Sequence, residues 1–144
     1  MGIIGFNFDN ISAERTKRPA GNINIKQKIG ITEISLEKLP LNKEEDVLKF
    51  NFEFLVDYEP TFAKIHIKGH VLSLEEPKMN KEILDKWKKS KKVSQDMLEE
   101  VFNVIVSKCT IKALSISQDI NVPPLIPLPR VQPNTQPPPQ EYIG

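Results

Sequence analysis

Few side chains in this sequence carry the types and spacing that chemistry needs. His66 and His70 stand four apart, a spacing that would bring both to one metal ion on a helix. On a strand the same spacing puts them ~13 Å apart, too far for one ion. The flanking residues alternate as a strand does, so both are read as exposed strand histidines and no metal site is expected. Cys109 is the single cysteine and falls on an apolar helical stripe, the setting of a structural thiol rather than a nucleophile. There is no Gly-rich phosphate loop, no Ser-His-Asp arrangement and no carboxylate cluster beyond the charge run Glu44-Glu45-Asp46, which reads as a solvated connection. No catalytic residue and no cofactor are expected, and an enzyme is the remotest class.

One charged stretch needs weighing. Lys78 to Lys92 is rich in lysine and contains Trp87. It would suit RNA or an anionic lipid surface. The simpler account is the solvated back of a helix, because the rest of the chain supplies neither a matching basic surface nor a ladder of aromatics. The formal charge of +1 over 144 residues gives no global field for nucleic acid. Nucleic acid is therefore not a partner in the first reading, and the basic module stays as the alternative.

The elements that must position these residues follow from periodicity. Leu48, Phe50, Phe52, Phe54, Val56 and Tyr58 share one parity, separated by Lys49, Asn51, Glu53, Leu55 and Asp57. That alternation makes a strand with one apolar face. Glu59-Pro60-Thr61 breaks it, and a second strand runs from Phe62 to Leu74, so the two form an antiparallel hairpin. Asn22 to Lys38 alternates too, with a parity change near Thr32-Glu33 that predicts a β-bulge. Gly69 and the change from Val71 to Leu72 mark a second expected bulge. A short strand is expected around Phe6 to Ala13, with Ser12 to Gly21 largely loop.

Past Pro77 the period becomes helical. Asn80 is expected to cap a helix carrying Ile83, Leu84 and Trp87 on one stripe. Ser94 is expected to start a second helix whose stripe is Leu98, Val101, Phe102, Ile105 and Cys109, widened by Val104 and Val106. From Val122 to Val131 prolines alternate with branched apolar residues, which excludes a helix and predicts an extended strap on the surface. Residues 132–144 are Pro- and Gln-rich and read as a disordered tail, leaving a domain of residues 3–131. The lone cysteine fits a reducing compartment, no apolar run reaches the ~20 residues of a membrane helix, and the N-terminus lacks a signal-peptide pattern. A cytoplasmic protein without membrane insertion is expected.

The order of these elements resembles the SecB family of export chaperones. The resemblance rests on Phe6-Asn7-Phe8-Asp9-Asn10-Ile11-Ser12, on the hairpin Asn51 to Leu74, and on Phe102 to Leu128, where Ser107-Lys108-Cys109-Thr110 leads to Val122-Pro123-Pro124. The ending Pro-Pro-Leu-Ile-Pro-Leu-Pro-Arg-Val is similar to the archaeal SecB-like branch. The resemblance implies an α+β fold, a four-stranded antiparallel sheet with helices packed on one face. It implies a homo-oligomer, a dimer of dimers with long helices between sheets. It also implies a holdase that takes non-native polypeptides without ATP, in protein export, general holding or toxin–antitoxin chaperoning. The expected polypeptide-binding residues are Ile11, Trp87, Val122, Leu125, Ile126, Leu128 and Val131. One departure stands out: bacterial members end in a metal-binding tail that engages the export motor, and residues 132–144 contain neither Cys nor His.

Overall fold

A computed structural model describes residues 2–16, 21–38, 46–91, 98–129 and 131. Four strands come first, β1 (Gly2–Arg15), β2 (Asn24–Lys38), β3 (Asp46–Glu59) and β4 (Ala63–Leu74), followed by helices α1 (Pro77–Ser90) and α2 (Glu99–Asp119). The strands form one antiparallel sheet in the order β1-β4-β3-β2. The hairpin β3–β4 is its centre, and β1 and β2 are its edges.

The alternation in β3 and β4 is what builds the core. Phe50, Phe52, Phe54, Val56, Tyr58, Ile65, Ile67 and Val71 are almost wholly buried on one face. Both helices pack on that face. Helix α1 covers the β2–β3 side with Asn80, Ile83 and Trp87, at i, i+3 and i+7. Helix α2 covers the rest with Val101, Ile105, Cys109, Ala113 and Ile116. The opposite face carries the polar parity, and there the two histidines sit in separate pairs. His66 Nε2 is 2.5 Å from Glu53 Oε1, and His70 Nδ1 is 2.8 Å from Asp9 Oδ2. Each imidazole thus ties β4 to a different neighbouring strand. Among the described residues no group of three or more His, Cys, Asp or Glu could hold a metal ion.

Several sequence expectations meet a different local geometry. The bulge in β2 falls between Ile31 and Glu33, as the parity change predicts. The irregularity near Gly69 lies instead in β1, between Phe8 and Asn10, while β4 pairs with β3 without a shift. Leu72 and Leu74 therefore stay on the polar face. The glycine has another cause: a Cβ there would lie 2.6 Å from Cζ of Phe52. Strand β1 extends through Ser12 and Arg15 because β4 offers partners as far as Ala63. Asn80 does not cap α1. Glu76 takes that position with Pro77 at the first turn, and Asn80 is buried one turn inside. For α2, Ser94 lies outside the described residues, and the described helix starts at Glu99 after Leu98. The 132–144 tail also lies outside them.

A candidate polypeptide groove on the β2 edge

The prolines after α2 give the chain a path that regular structure would not. Asn121 adopts a left-handed backbone, φ 57°, and the N–H of Val122 donates to Ser117 O at 2.9 Å, closing the helix. Arg15 of β1 reaches the carbonyl oxygens of Ile120 and Asn121 at 3.3 and 3.4 Å. Tyr58 of β3 donates its hydroxyl to Pro123 O at 2.6 Å, and Gln27 of β2 donates to Leu125 O at 3.4 Å. Arg15, Ala63, Tyr58 and Ile25 are register partners across the sheet. The strap therefore crosses one end of the sheet from edge to edge, and arrives at β2.

Burial along the strap divides its side chains. Val122 and Leu125 are buried, each 8% exposed, whereas Ile126, Leu128 and Val131 are 38%, 48% and 95% exposed. Tyr58, beneath the strap, has its phenol pKa raised because burial disfavours the phenolate, so it stays a hydrogen-bond donor.

Where the strap reaches Gln27, the edge of β2 carries Ile29 and Ile31 on the helix face, opposite Phe54 and Phe52. Among the described residues no strand pairs with the outer side of β2. Beside it opens a cleft of about 530 Å³ between Ile29, Ile31, Trp87, Phe102 and Val106. Ile29 is 37% and Val106 45% exposed. Trp87 forms part of the wall with its indole almost covered; Nε1 donates to Glu33 Oε1 at 3.3 Å and Lys91 Nζ lies 5.3 Å over the ring. Unpaired backbone groups beside apolar side chains are what an added strand uses: the backbone supplies affinity and the pockets supply selectivity.

Of the residues expected from sequence, the structure brings Trp87 to this cleft. Ile126 and Leu128 lie along the strap past the point where it meets β2. Val122 and Leu125 belong to the core under the strap, because the bonds to Tyr58 and Gln27 press that part of the chain inward. Ile11 is 40% exposed but pairs with Ile67 on β1, the other edge of the sheet. Ile11 and Ile29 sit in one cross-strand row three strand spacings apart, roughly 14 Å, so Ile11 stands apart from this groove. Ile29, Ile31, Phe102 and Val106 were not expected. Their signal was present in the alternation of β2 and in the over-wide stripe of α2, but the sequence does not say which strand becomes an edge.

A four-stranded antiparallel sheet with two helices on one face, in this order, is the SecB-like α+β fold. One solved structure that the chain is similar to is the SecB-like chaperone Rv1957 of Mycobacterium tuberculosis, in complex with a ChAD peptide from the Rv1956 HigA1 antitoxin. The TM-score is 0.52 at 12% identity, with 91% of each chain covered. At that identity the likeness is one of fold. No family model matches the sequence, and no curated protein matches it.

Proposed function

We propose that this protein is an ATP-independent holdase that captures extended segments of non-native polypeptides along the β2 edge. The observation that carries the reading is the outer side of β2, which no described strand pairs with, and Ile29 and Ile31 facing a cleft walled by Trp87, Phe102 and Val106. The SecB-like fold supports it, as does the peptide bound by the structural neighbour. Binding residues on this reading are Ile29, Ile31, Phe102 and Val106, with Ile126 and Leu128 extending the surface. Assembly of copies, as a dimer of dimers, belongs to the same proposal: Ile111, outside the cleft, leaves apolar surface on α2 at 66% exposure. So do work in the cytoplasm and a part in protein export.

The test is suppression of aggregation of a chemically unfolded client, with no nucleotide, by the full chain and by Ile29→Asp and Val106→Asp. Wild type suppresses aggregation; the variants keep their unfolding midpoints and lose suppression, because a client covering the new carboxylate would strip its hydration. Suppression unchanged in both folded variants would remove the groove. Salt separates the alternative, a basic module on the exposed lysines of α1. RNA binding falls steeply between 50 and 200 mM salt through counterion release, whereas apolar capture does not.

A further inference from the structure

Gly30 is a glycine that the fold itself does not require. It sits on β2 opposite Glu53, in regular register, and the bulge lies further on, between Ile31 and Glu33. Its backbone is not left-handed: among the described residues Gly21 is the glycine with positive φ. Nothing lies within 4 Å of a Cβ built on it, whereas Gly69 is crowded by Phe52. A glycine inside a strand weakens it, and where neither bulge nor crowding accounts for it, it marks a place where another backbone or a ligand comes close. The space it leaves is on the face away from the helices. There a cleft of about 270 Å³ lies between Lys28, Gly30, Thr32, Glu53 and Leu55. Leu55 is half-buried on that polar face, opposite Lys28. Glu53 is engaged by His66 and Lys26 by Glu59, but Lys28 is exposed and in no ion pair among the described residues. Gly30 thus separates two clefts, this one and the cleft of Ile29, Ile31 and Trp87 on the helix face.

We propose that the β2 edge selects an extended segment with an aromatic residue between two aliphatic ones, followed by a carboxylate, the pattern Val-Phe-Val-Glu. The inference rests on strand capture at β2 and names the class of segment captured. In an antiparallel added strand, the more stable pairing, the aliphatic side chains fall beside Ile31 and Ile29 and enter the helix-face cleft. The aromatic one falls beside Gly30 on the other face, since successive side chains alternate. There it leans across the glycine towards Leu55, whose strand is two spacings, roughly 10 Å, away. An aromatic beside an edge glycine covers the backbone that the glycine leaves bare. The carboxylate, two residues on and on the same face, stands beside the unpaired Lys28. A second copy of the chain is the competing occupant, and it is poorly matched. The outer-face residues of β2 up to the bulge are Asn24, Lys26, Lys28 and Gly30, which offer the glycine no aromatic and bring more lysines to an edge that already has them.

The test measures binding of acetyl-Ser-Asn-Val-Phe-Val-Glu-Ser-Asn-amide to the full chain by calorimetry, beside two relatives, one with Thr for Phe and one with Lys for Glu. Thr for Phe weakens binding about fivefold, the upper worth of a cross-strand pair. Lys for Glu weakens it about threefold at low salt and hardly at high salt, as an exposed charge pair does. Gly30→Val fills the space with the chain's own methyl groups, and the Phe peptide loses its advantage over the Thr peptide. Nothing stands near the added Cβ and valine suits a strand, so the unfolding midpoint is retained. Leu55→Thr, on β3 behind the edge, removes the same advantage. Lys28→Gln removes the advantage of Glu over Lys. Each readout is a ratio of affinities, which general damage to the fold would not shift. Equal affinity of the wild type for the Phe and Thr peptides, or a full Phe advantage in both Gly30→Val and Leu55→Thr, overturns the proposal and leaves strand capture intact. No binding of any peptide at millimolar concentration overturns strand capture at β2 and this proposal with it. A change in protomer association on Gly30→Val, with the peptide ratio unchanged, assigns the edge to a second copy and also overturns it.

Discussion

Gly69→Ala isolates one contact that the centre of the sheet cannot relax. Gly69 stands on β4 opposite Phe52 of β3 and Phe8 of β1, where β1 bulges. The Phe52 ring stacks on Phe6, with centroids 5.3 Å apart, and in doing so passes over the glycine. An added methyl carbon would lie 2.6 Å from Cζ and 2.9 Å from Cε2 of that ring, and closer still to the backbone oxygen of Asn7. The ring cannot swing away without leaving its stack, and the oxygen cannot recede without separating β1 from β4. Overpacking in a core costs roughly 1–3 kcal/mol and occasionally more. Two simultaneous clashes, one of them with backbone, place this variant at about 3 kcal/mol. With a urea dependence of about 2 kcal/mol per M, the midpoint drops by about 1.5 M. Gly30→Ala is the control. Nothing lies within 4 Å of its added carbon, so it is neutral or slightly stabilising by restricting the unfolded chain. Both are compared at one protomer concentration, since association would add to stability. A Gly69→Ala midpoint within about 0.3 M of wild type would refute the packing argument.

Three further outcomes follow from named contacts. Cys109 is wholly buried and its thiol pKa is pushed up to about 12 by desolvation, so at pH 8 iodoacetamide labels it only after denaturation; labelling of the native protein at the free-thiol rate would contradict its burial. The neutral thiol is the form favoured by folding, so its contribution is intact below the unfolded pKa of about 8.5 and is lost as pH rises from there towards 12. Tyr58→Phe leaves Pro123 O without its donor under the strap and lowers stability by about 1–2 kcal/mol in urea unfolding; a change under about 0.3 kcal/mol would mean that the bond at 2.6 Å holds nothing. Leu125→Asp lowers the unfolding midpoint strongly, because it buries a carboxylate, whereas Ile126→Asp and Leu128→Asp keep the midpoint and lose client capture; equal midpoints for all three would show that the strap is not seated as described.

The central hairpin was legible because its period is strict. One parity carries Phe50, Phe52, Phe54 and Val56, the other carries charge, and no competing pattern fits. The β2 bulge was legible for the same reason: a parity change has no other cheap cause. Gly69 misled because a glycine relieves crowding as readily as it marks a bulge, and the crowding came from Phe52, a residue distant in sequence. Asn80 misled because Asn before an apolar stripe is the usual cap signal, but Pro77 is already fixed at a helical φ and starts the helix four residues earlier than that cap would. The groove was legible only in part. The strap's mixed composition announced that some of its apolar residues would stay outside. Which ones did depended on where Tyr58 and Gln27 caught its carbonyl groups, and neither partner is visible in the strap itself.

The two edges of the sheet differ in a way that bears on the proposed function. An unpaired edge invites association, and proteins blunt it with bulges, charges or prolines. Strand β1 shifts register twice, at Ile3/Gly5 and Phe8/Asn10, so its outer hydrogen-bonding row is interrupted within its first nine positions. Strand β2 has a single shift, at Ile31/Glu33, and pairs regularly with β3 from Asn24 to Ile31. An added strand on β2 would therefore find eight residues in unbroken register, with Ile29 and Ile31 directed to the cleft. Lys26 and Lys28 lie in the same run, and Lys26 is paired with Glu59 at 3.3 Å. Lysines on an edge discourage flat sheet-to-sheet stacking without removing the backbone groups that one extended chain can use. Among the described residues the edge is thereby blunted against aggregation while its outer backbone groups are kept, which is what the proposed capture of a single extended strand would use.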